Sequence, residues 1–168
     1  WSSDSSRASR MINARSESVA TKPSYRAAFR RRRCLVPADG YYEWRPPPEG
    51  AGSRKQPFYI YPRSGEPLAM AGLFDDWQGP HGEMRTCTIL TQEAVGPVAD
   101  IHDRMPVEVP KSWWEQWLDP HLEDAQGTLE AICAQSRNGV ESGSRDFHPV
   151  STRVNAPVND GLDLITPV

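Results

Sequence analysis

The stretch QPFYIYPRSGEPLAMAGLFDDWQGPHGEMRTCTILT, Gln56 to Thr91, carries three runs rich in aromatic and branched side chains. QPFYIYP, LAMAGLFDDW and RTCTILT each have the length and composition of a strand, and RSGE and QGPHGE between them read as turns. Strands arriving at such short intervals point to an antiparallel sheet or a partial barrel. Upstream, ADGYYEW adds another strand, in which a period of two puts Asp39, Tyr41 and Glu43 on one face and Tyr42 with Trp44 on the other. RPPPEGAGSRK, between the two regions, is an exposed Pro/Gly-rich loop.

Helices flank this β-rich centre. WSSDSSRASR and INARSES read as loop, followed by a short helix with Pro23 in its first turn and Ala27, Ala28 and Phe29 inside, ending in Arg30 to Arg33. Downstream, Ser112 and Glu115 have the spacing of a capping box, so a helix is expected there with Trp113 and Trp117 on one side. A second helix is expected over Thr128 to Gln135, burying Leu129, Ile132 and Cys133. FHPVSTRV is a late strand and NAPVNDGLDLITPV an irregular end. The expected fold is a single α+β domain over residues 1–168, mostly antiparallel sheet or partial barrel with flanking helices.

Composition narrows the function classes. Of 168 residues, 38% are hydrophobic and 24% charged, which is a globular rather than a disordered or membrane-spanning balance. No apolar run reaches the length of a bilayer span and no signal-type segment is present, so a cytoplasmic location without membrane contact is expected. The cysteines Cys34, Cys87 and Cys133 are odd in number and widely spaced, which suggests neither a zinc knuckle nor a disulfide framework. No metal or organic cofactor is implied.

The net charge of −3 conceals an asymmetry: thirteen Lys/Arg against five Asp/Glu in residues 1–63 (+8), and six against seventeen in residues 64–168 (−11). The run Arg30 to Arg33 reads as a solvated helix end complementing the macrodipole, or as a phosphate-facing surface.

Candidate chemistry begins with Glu43. A carboxylate between Tyr42 and Trp44 is partly dehydrated, which raises its pKa towards values useful for proton transfer, unless the side chain simply points to solvent. His102 lies in DIHDRMP among Asp100, Asp103 and Arg104, where acidic neighbours favour its charged form; an ordinary surface histidine has the same surroundings. Asn13 and Arg15, in NARSES, offer an amide that both donates and accepts and a guanidinium able to fork onto phosphate, or a turn residue beside a surface cation. Cys34, after four arginines, is either an activated thiol or a buried structural one. The glycines form neither a P-loop nor a dinucleotide fingerprint.

Together RMINARSES, FRRRRCLVPADGYYEW, LAMAGLFDDW, TILT, DIHDRMPV and VSTRVNAPVNDG resemble the SOS response-associated peptidase (SRAP) family, in the family's order and over residues 10 to 160. That resemblance implies a suicide-type repair protein that captures abasic sites in single-stranded DNA. The family's N-terminal cysteine, exposed by self-removal of the initiator methionine, forms a Schiff base with the sugar aldehyde, and its thiol closes a thiazolidine. By motif, the resemblance makes Asn13, Glu43 and His102 the catalytic group. Asn13 positions the sugar and the nucleophile, Glu43 handles protons, and His102 is the acid for ring opening. It gives Arg15, Trp44, Thr91 and Arg104 to DNA contacts, with Arg15 and Arg104 on phosphate. The family's Cys-Gly-Arg opening does not occur in this sequence, so the expectation is a truncated chain whose nucleophile lies upstream. A monomer bound to single-stranded DNA, nucleoid-associated through it, is the expected state. Two other readings are a non-covalent single-strand binder and a Cys34/His102 thiol hydrolase.

Overall fold

The computed structural model describes residues 11–79 and 82–168. Its centre is the hairpin that the sequence announces. Strands β5 (Leu68–Gly79) and β6 (Gly82–Glu93) pair antiparallel from Gly72 opposite Ile89 to Gly79 opposite Gly82. Both run further into QGPHGE than the turn signals suggest; Pro80 and His81 of that turn lie outside the described residues. Strand β2 (Arg33–Ala38) adds antiparallel to β5, and β7 (Arg104–Pro106) to the end of β6. The remaining strand of this five-stranded sheet is β1 (Asn13–Arg15), parallel to β6.

A second sheet joins β3 (Tyr41–Arg45), β4 (Gln56–Pro62) and β8 (Arg145–Pro149), all antiparallel, in the order β3-β4-β8. The architecture is thus α+β with two open sheets rather than a closed barrel.

Three helices, α1 (Arg26–Arg31), α2 (Trp114–Leu118) and α3 (Ala125–Glu141), supply partners for the first sheet. Its core joins Ala14, Phe29, Leu73, Leu90, Val107, Trp117, Leu129 and Ile132. Trp117 is fully buried against the Phe29 ring and donates its indole N–H to the Cys34 carbonyl at 2.9 Å. A second cluster packs Phe58 and Ile60 of β4 against Val98, Ile101 and Met105, which precede or belong to β7. Between the clusters runs a polar seam. The Arg145 guanidinium pairs with Glu108, whose backbone N–H donates to Ser136 Oγ. Gln92 Nε2 donates to the same hydroxyl at 2.9 Å, and Arg137 donates to Gln92 Oε1 at 3.1 Å.

Local departures from the expected elements have physical causes. INARSES is not all loop: Asn13–Arg15 is a strand, because Ala14 is buried in the first core while its polar neighbours face outward. The Ser112/Glu115 capping box does not form. The chain enters α2 through a 3₁₀ turn at Lys111–Trp113, with no side-chain cap. The expected 128–135 helix is 17 residues long, capped by Asp124, whose carboxylate accepts from the Gly127 N–H at 2.8 Å. Pro23 precedes α1 rather than lying in its first turn, and Asp39 sits in the turn before β3 rather than on the strand face of Glu43. The late strand ends at Pro149, and 152–155 is a 3₁₀ turn. The segment WSSDSSRASR, read as loop, lies outside the described residues. No described helix is long and apolar enough to cross a membrane.

Arg33 resolves the arginine run. It is 4% exposed, and its guanidinium donates to the carbonyls of Phe29, Arg30 and Trp117 at 2.7, 2.7 and 2.8 Å, and to that of Asp119. Arg32 pairs with Asp75 at 3.1 Å. Only Arg30 and Arg31 of the run are left as exposed cations at a helix end.

Candidate functional site

Strand alternation decides what β3 presents. Tyr41 and Glu43 face the side on which their β4 partners Ile60 and Phe58 enter the second core. Tyr42 and Trp44 face the other way, where Tyr42 packs on Tyr59 with ring centroids 5.5 Å apart. Glu43 therefore points inward at the rim of an apolar cluster, with 21% of its side chain exposed, and meets the turn that leads into β7. There its Oε2 lies 3.8 Å from His102 Nε2. Loss of water pushes the Glu43 carboxyl above its ordinary range. The His102 ring opposes that rise and the Asp103 carboxylate adds to it.

The other edge of His102 is as closely defined. Its Nδ1 accepts the Arg104 backbone N–H at 3.0 Å, with the Arg104 carbonyl at 3.3 Å and the Asp103 carboxylate at 3.1 Å. A neutral ring accepts the amide at Nδ1 and keeps its proton on Nε2, towards Glu43. A charged ring finds acceptors on both edges. The ring thus has partners in the same orientation for both protonation states, which suits a group that passes a proton on.

A second group of predicted residues gathers on the adjoining edge of the first sheet. Asn13 and Arg15 flank the buried Ala14 and project from the exposed face of β1, and Arg15 is in register with Thr91 of β6. Arg104, at the start of β7, turns its guanidinium back over Thr91, with Nη2 2.5 Å from the Thr91 carbonyl and 3.4 Å from its hydroxyl. The same guanidinium makes a two-pronged pair with Glu17 at 2.7 and 2.9 Å, which holds the Glu17 carboxyl below its usual range. Beneath Glu17 and Ser16 lies a groove of about 280 Å³ that reaches Cys133 and Arg137.

Trp44 stands apart from both groups. Its indole N–H donates to Asn155 Oδ1 at 2.7 Å, on the face of β3 opposite Glu43. Two residues that the sequence reading did not single out join the site. Glu17 lies within the quoted NARSES, where a carboxylate two positions after an arginine was a usable signal. Asn155, in VSTRVNAPVNDG, gave no sign of its partner, 111 residues away.

The thiol reading finds no support here. Burial pushes the Cys34 thiol up to about 11, with Cys87 adding to the rise, which favours the structural of its two readings; Arg32 and Arg33 are committed to other partners. Among the described residues no three His, Cys, Asp or Glu side chains are grouped to hold a metal ion.

The sequence profile of the SOS response associated peptidase family matches residues 1–157. The chain belongs to this family. It is 35% identical over 166 residues to the abasic site processing protein YoqW of Bacillus subtilis, a match that takes in 98% of this chain and 70% of YoqW. The abasic site processing protein HMCES of Gallus gallus is 33% identical over 178 residues, covering 93% of this chain and half of its own length. A crystal structure of a protein from Bacteroides thetaiotaomicron superimposes over 100% of this chain and 72% of its own, with a TM-score of 0.78 at 27% identity. The chain thus has the SRAP fold, and of the motifs that carried the resemblance GYYEW and DIHDRMPV supply the Glu43–His102 pair, while RMINARSES, TILT and DIHDRMPV supply the Arg15–Thr91–Arg104 edge.

Proposed function

We propose that this chain recognises abasic sites in single-stranded DNA and carries out the acid–base steps by which an N-terminal cysteine, supplied upstream of Trp1, is joined to the sugar. The observation that carries the reading is the partly dehydrated Glu43 carboxylate facing His102 across the junction of the two sheets. His102 donates a proton to the ring oxygen while the anomeric hydroxyl loses one, opening the sugar to its aldehyde. The amine adds to that carbonyl, and Glu43 carries the amine's surplus proton to the departing hydroxyl, which leaves as water from the carbinolamine. The thiol sulfur then bonds to the imine carbon, and its proton passes to the nitrogen, closing the thiazolidine. Atoms balance with loss of one water, and no oxidant is needed.

Asn13 holds the sugar and the amine. Arg15 and Arg104 lie along the phosphate path, Thr91 supplies a hydroxyl at the same edge, and Trp44 forms the outer wall. A single strand suits this site, because an abasic sugar in a duplex would first have to be swung out of the helix to meet both Glu43 and His102. Self-removal of the initiator methionine would expose the amine.

The test compares a protein carrying the family's N-terminal segment with this 168-residue chain, each mixed with single-stranded DNA containing one abasic site. A denaturing gel reads covalent capture. An adduct is expected with the longer protein only, formed more slowly by its Glu43→Gln and His102→Gln variants. An adduct from the shorter chain, or none from either, would overturn the proposal.

A further inference from the structure

We infer that Glu17 is a positioning residue that competes with DNA phosphate for Arg104, and so sets how strongly this surface holds any single strand, damaged or intact. The inference rests on the reading above, that a single strand crosses the Arg15–Arg104 edge. A guanidinium has five N–H donors, and a phosphate gripped in two-pronged fashion needs two on one side. In Arg104 that side is taken. Nη1 and Nη2 each donate to one Glu17 oxygen, at 2.7 and 2.9 Å, and Nη2 also donates to the Thr91 carbonyl. Nε is buried without a partner, so it is not open to a strand passing outside. Glu17, by contrast, is 54% exposed against 18% for Arg104. The carboxylate thus lies on the solvent side of the guanidinium, where a phosphate would arrive.

Arg15 provides the comparison. It projects from the exposed face of β1 and among the described residues makes no direct pair with a carboxylate, although its charge reaches Glu17 and helps, less than Arg104 does, to hold that carboxyl down. Two arginines of one motif region therefore differ in state: Arg15 is open to phosphate, whereas Arg104 already holds an anion of the same charge and similar span. Because Glu17 is tethered, its effective concentration at Arg104 is high, and a phosphate has to displace it. With Glu17 beside it, Arg104 brings no net positive charge to the strand, so few of the cations condensed there are released and Arg104 adds little to the salt dependence of binding. A surface restrained in this way holds intact strands weakly and leaves discrimination to the sugar chemistry at Glu43 and His102.

The experiment measures affinity for an intact single strand, and for one carrying a tetrahydrofuran abasic analogue without an aldehyde, from 50 to 200 mM salt in the full-length protein. Glu17→Gln keeps the shape of the side chain and removes its charge. It is expected to tighten binding to the intact strand and to steepen the slope of log affinity against log salt by about 0.7, the value for one more phosphate on a single strand. Over that range the added loss of affinity is about threefold. The charge-balanced double variant E17Q/R104Q is expected to return to the wild-type slope, and R15Q to fall below it by about 0.7.

A wild-type slope in E17Q, or a double variant shallower than wild type by about 0.7, would overturn the inference, since Arg104 would then release its counterion despite Glu17. A purely structural role for Glu17 would move the melting temperature and leave the slopes alone, which also counts against it. Failure of the wild-type protein to capture abasic DNA on the denaturing gel, with the salt slopes as expected, would instead overturn the function and spare the role of Glu17.

Discussion

Replacing Arg33 by Met removes the donors of a buried guanidinium and keeps most of its stem. Four carbonyls depend on those donors: Phe29 and Arg30 in the last turns of α1, and Trp117 and Asp119 at the end of α2. The guanidinium thus caps two helices at once, with its charge at the negative ends of both dipoles. Each buried carbonyl left without a donor costs about 1–3 kcal/mol. Asp119 and the exposed end of α2 regain water, and the variant is relieved of burying a charge, so the sum is far below four separate penalties. A net loss of about 3 kcal/mol is expected, which corresponds to roughly 6–12 °C in Tm for a domain of this size. Urea denaturation followed by tryptophan fluorescence reads it directly, because Trp117 stacks under the same guanidinium at 5.7 Å from its ring. Single-strand affinity at a temperature where both proteins are folded should be unchanged. A Met variant within 1 kcal/mol of wild type would refute the two-helix cap, and one of full stability with weakened DNA binding would return the arginine run to the phosphate surface.

Three further outcomes follow from other parts of the chain. The Glu43 carboxyl is raised above 4.5 in the folded protein, so the fold binds that proton more tightly than the unfolded chain. Wild-type stability therefore declines as pH rises from about 4.5 through the raised value, and Glu43→Gln should gain on wild type over that window in denaturant midpoints at pH 4.5 and 8; a constant gap would sink the assignment. At Gly72 an added Cβ would lie 2.8 Å from Cys34 Sγ and 3.0 Å from Val36 Cγ2, so Gly72→Ala should destabilise by about 1–3 kcal/mol, with only part of the loss recovered when Cys34→Ala is added. Asp124→Ala should lower stability by about 1 kcal/mol through loss of the α3 cap, as measured by thermal unfolding, whereas the neighbouring Glu123→Ala should not.

The β-rich centre was legible because β4, β5 and β6 are long and richly apolar, and turn residues separate them. The same signals misplaced the ends of β5 and β6, since cross-strand pairing carries a hairpin to the last residue that can still bond. β1 was hidden for the opposite reason: with three residues and one apolar side chain, it is a strand only because β6 offers an edge. α3 was under-read past Gln135 because its buried face goes on through Ser136, a polar residue whose hydroxyl is satisfied by Gln92 from elsewhere in the chain. At the site, the aromatic flanks of Glu43 pointed to partial dehydration, yet both Tyr42 and Trp44 face the other side of β3, and the apolar cluster around Phe58 is what removes the water. The partnership with His102 joins positions 59 apart, and no local pattern encodes it. Arg33 shows the limit most plainly, since four arginines in a row look alike until helix ends claim one of them.

The parallel pairing of β1 with β6 has a bearing on how the protein is made. Asn13 and Arg15 find their partners at Ile89 and Thr91, so this edge cannot assemble until the chain has been synthesised past β6. Pairings of such sequence separation close late in folding, after the local hairpin that templates them. A nascent or partly unfolded molecule therefore keeps its central hairpin while lacking the edge that holds Asn13 and Arg15. The edge proposed to meet DNA therefore depends, like the still more distant pairing of β4 with β8, on contacts that only the nearly complete chain can make.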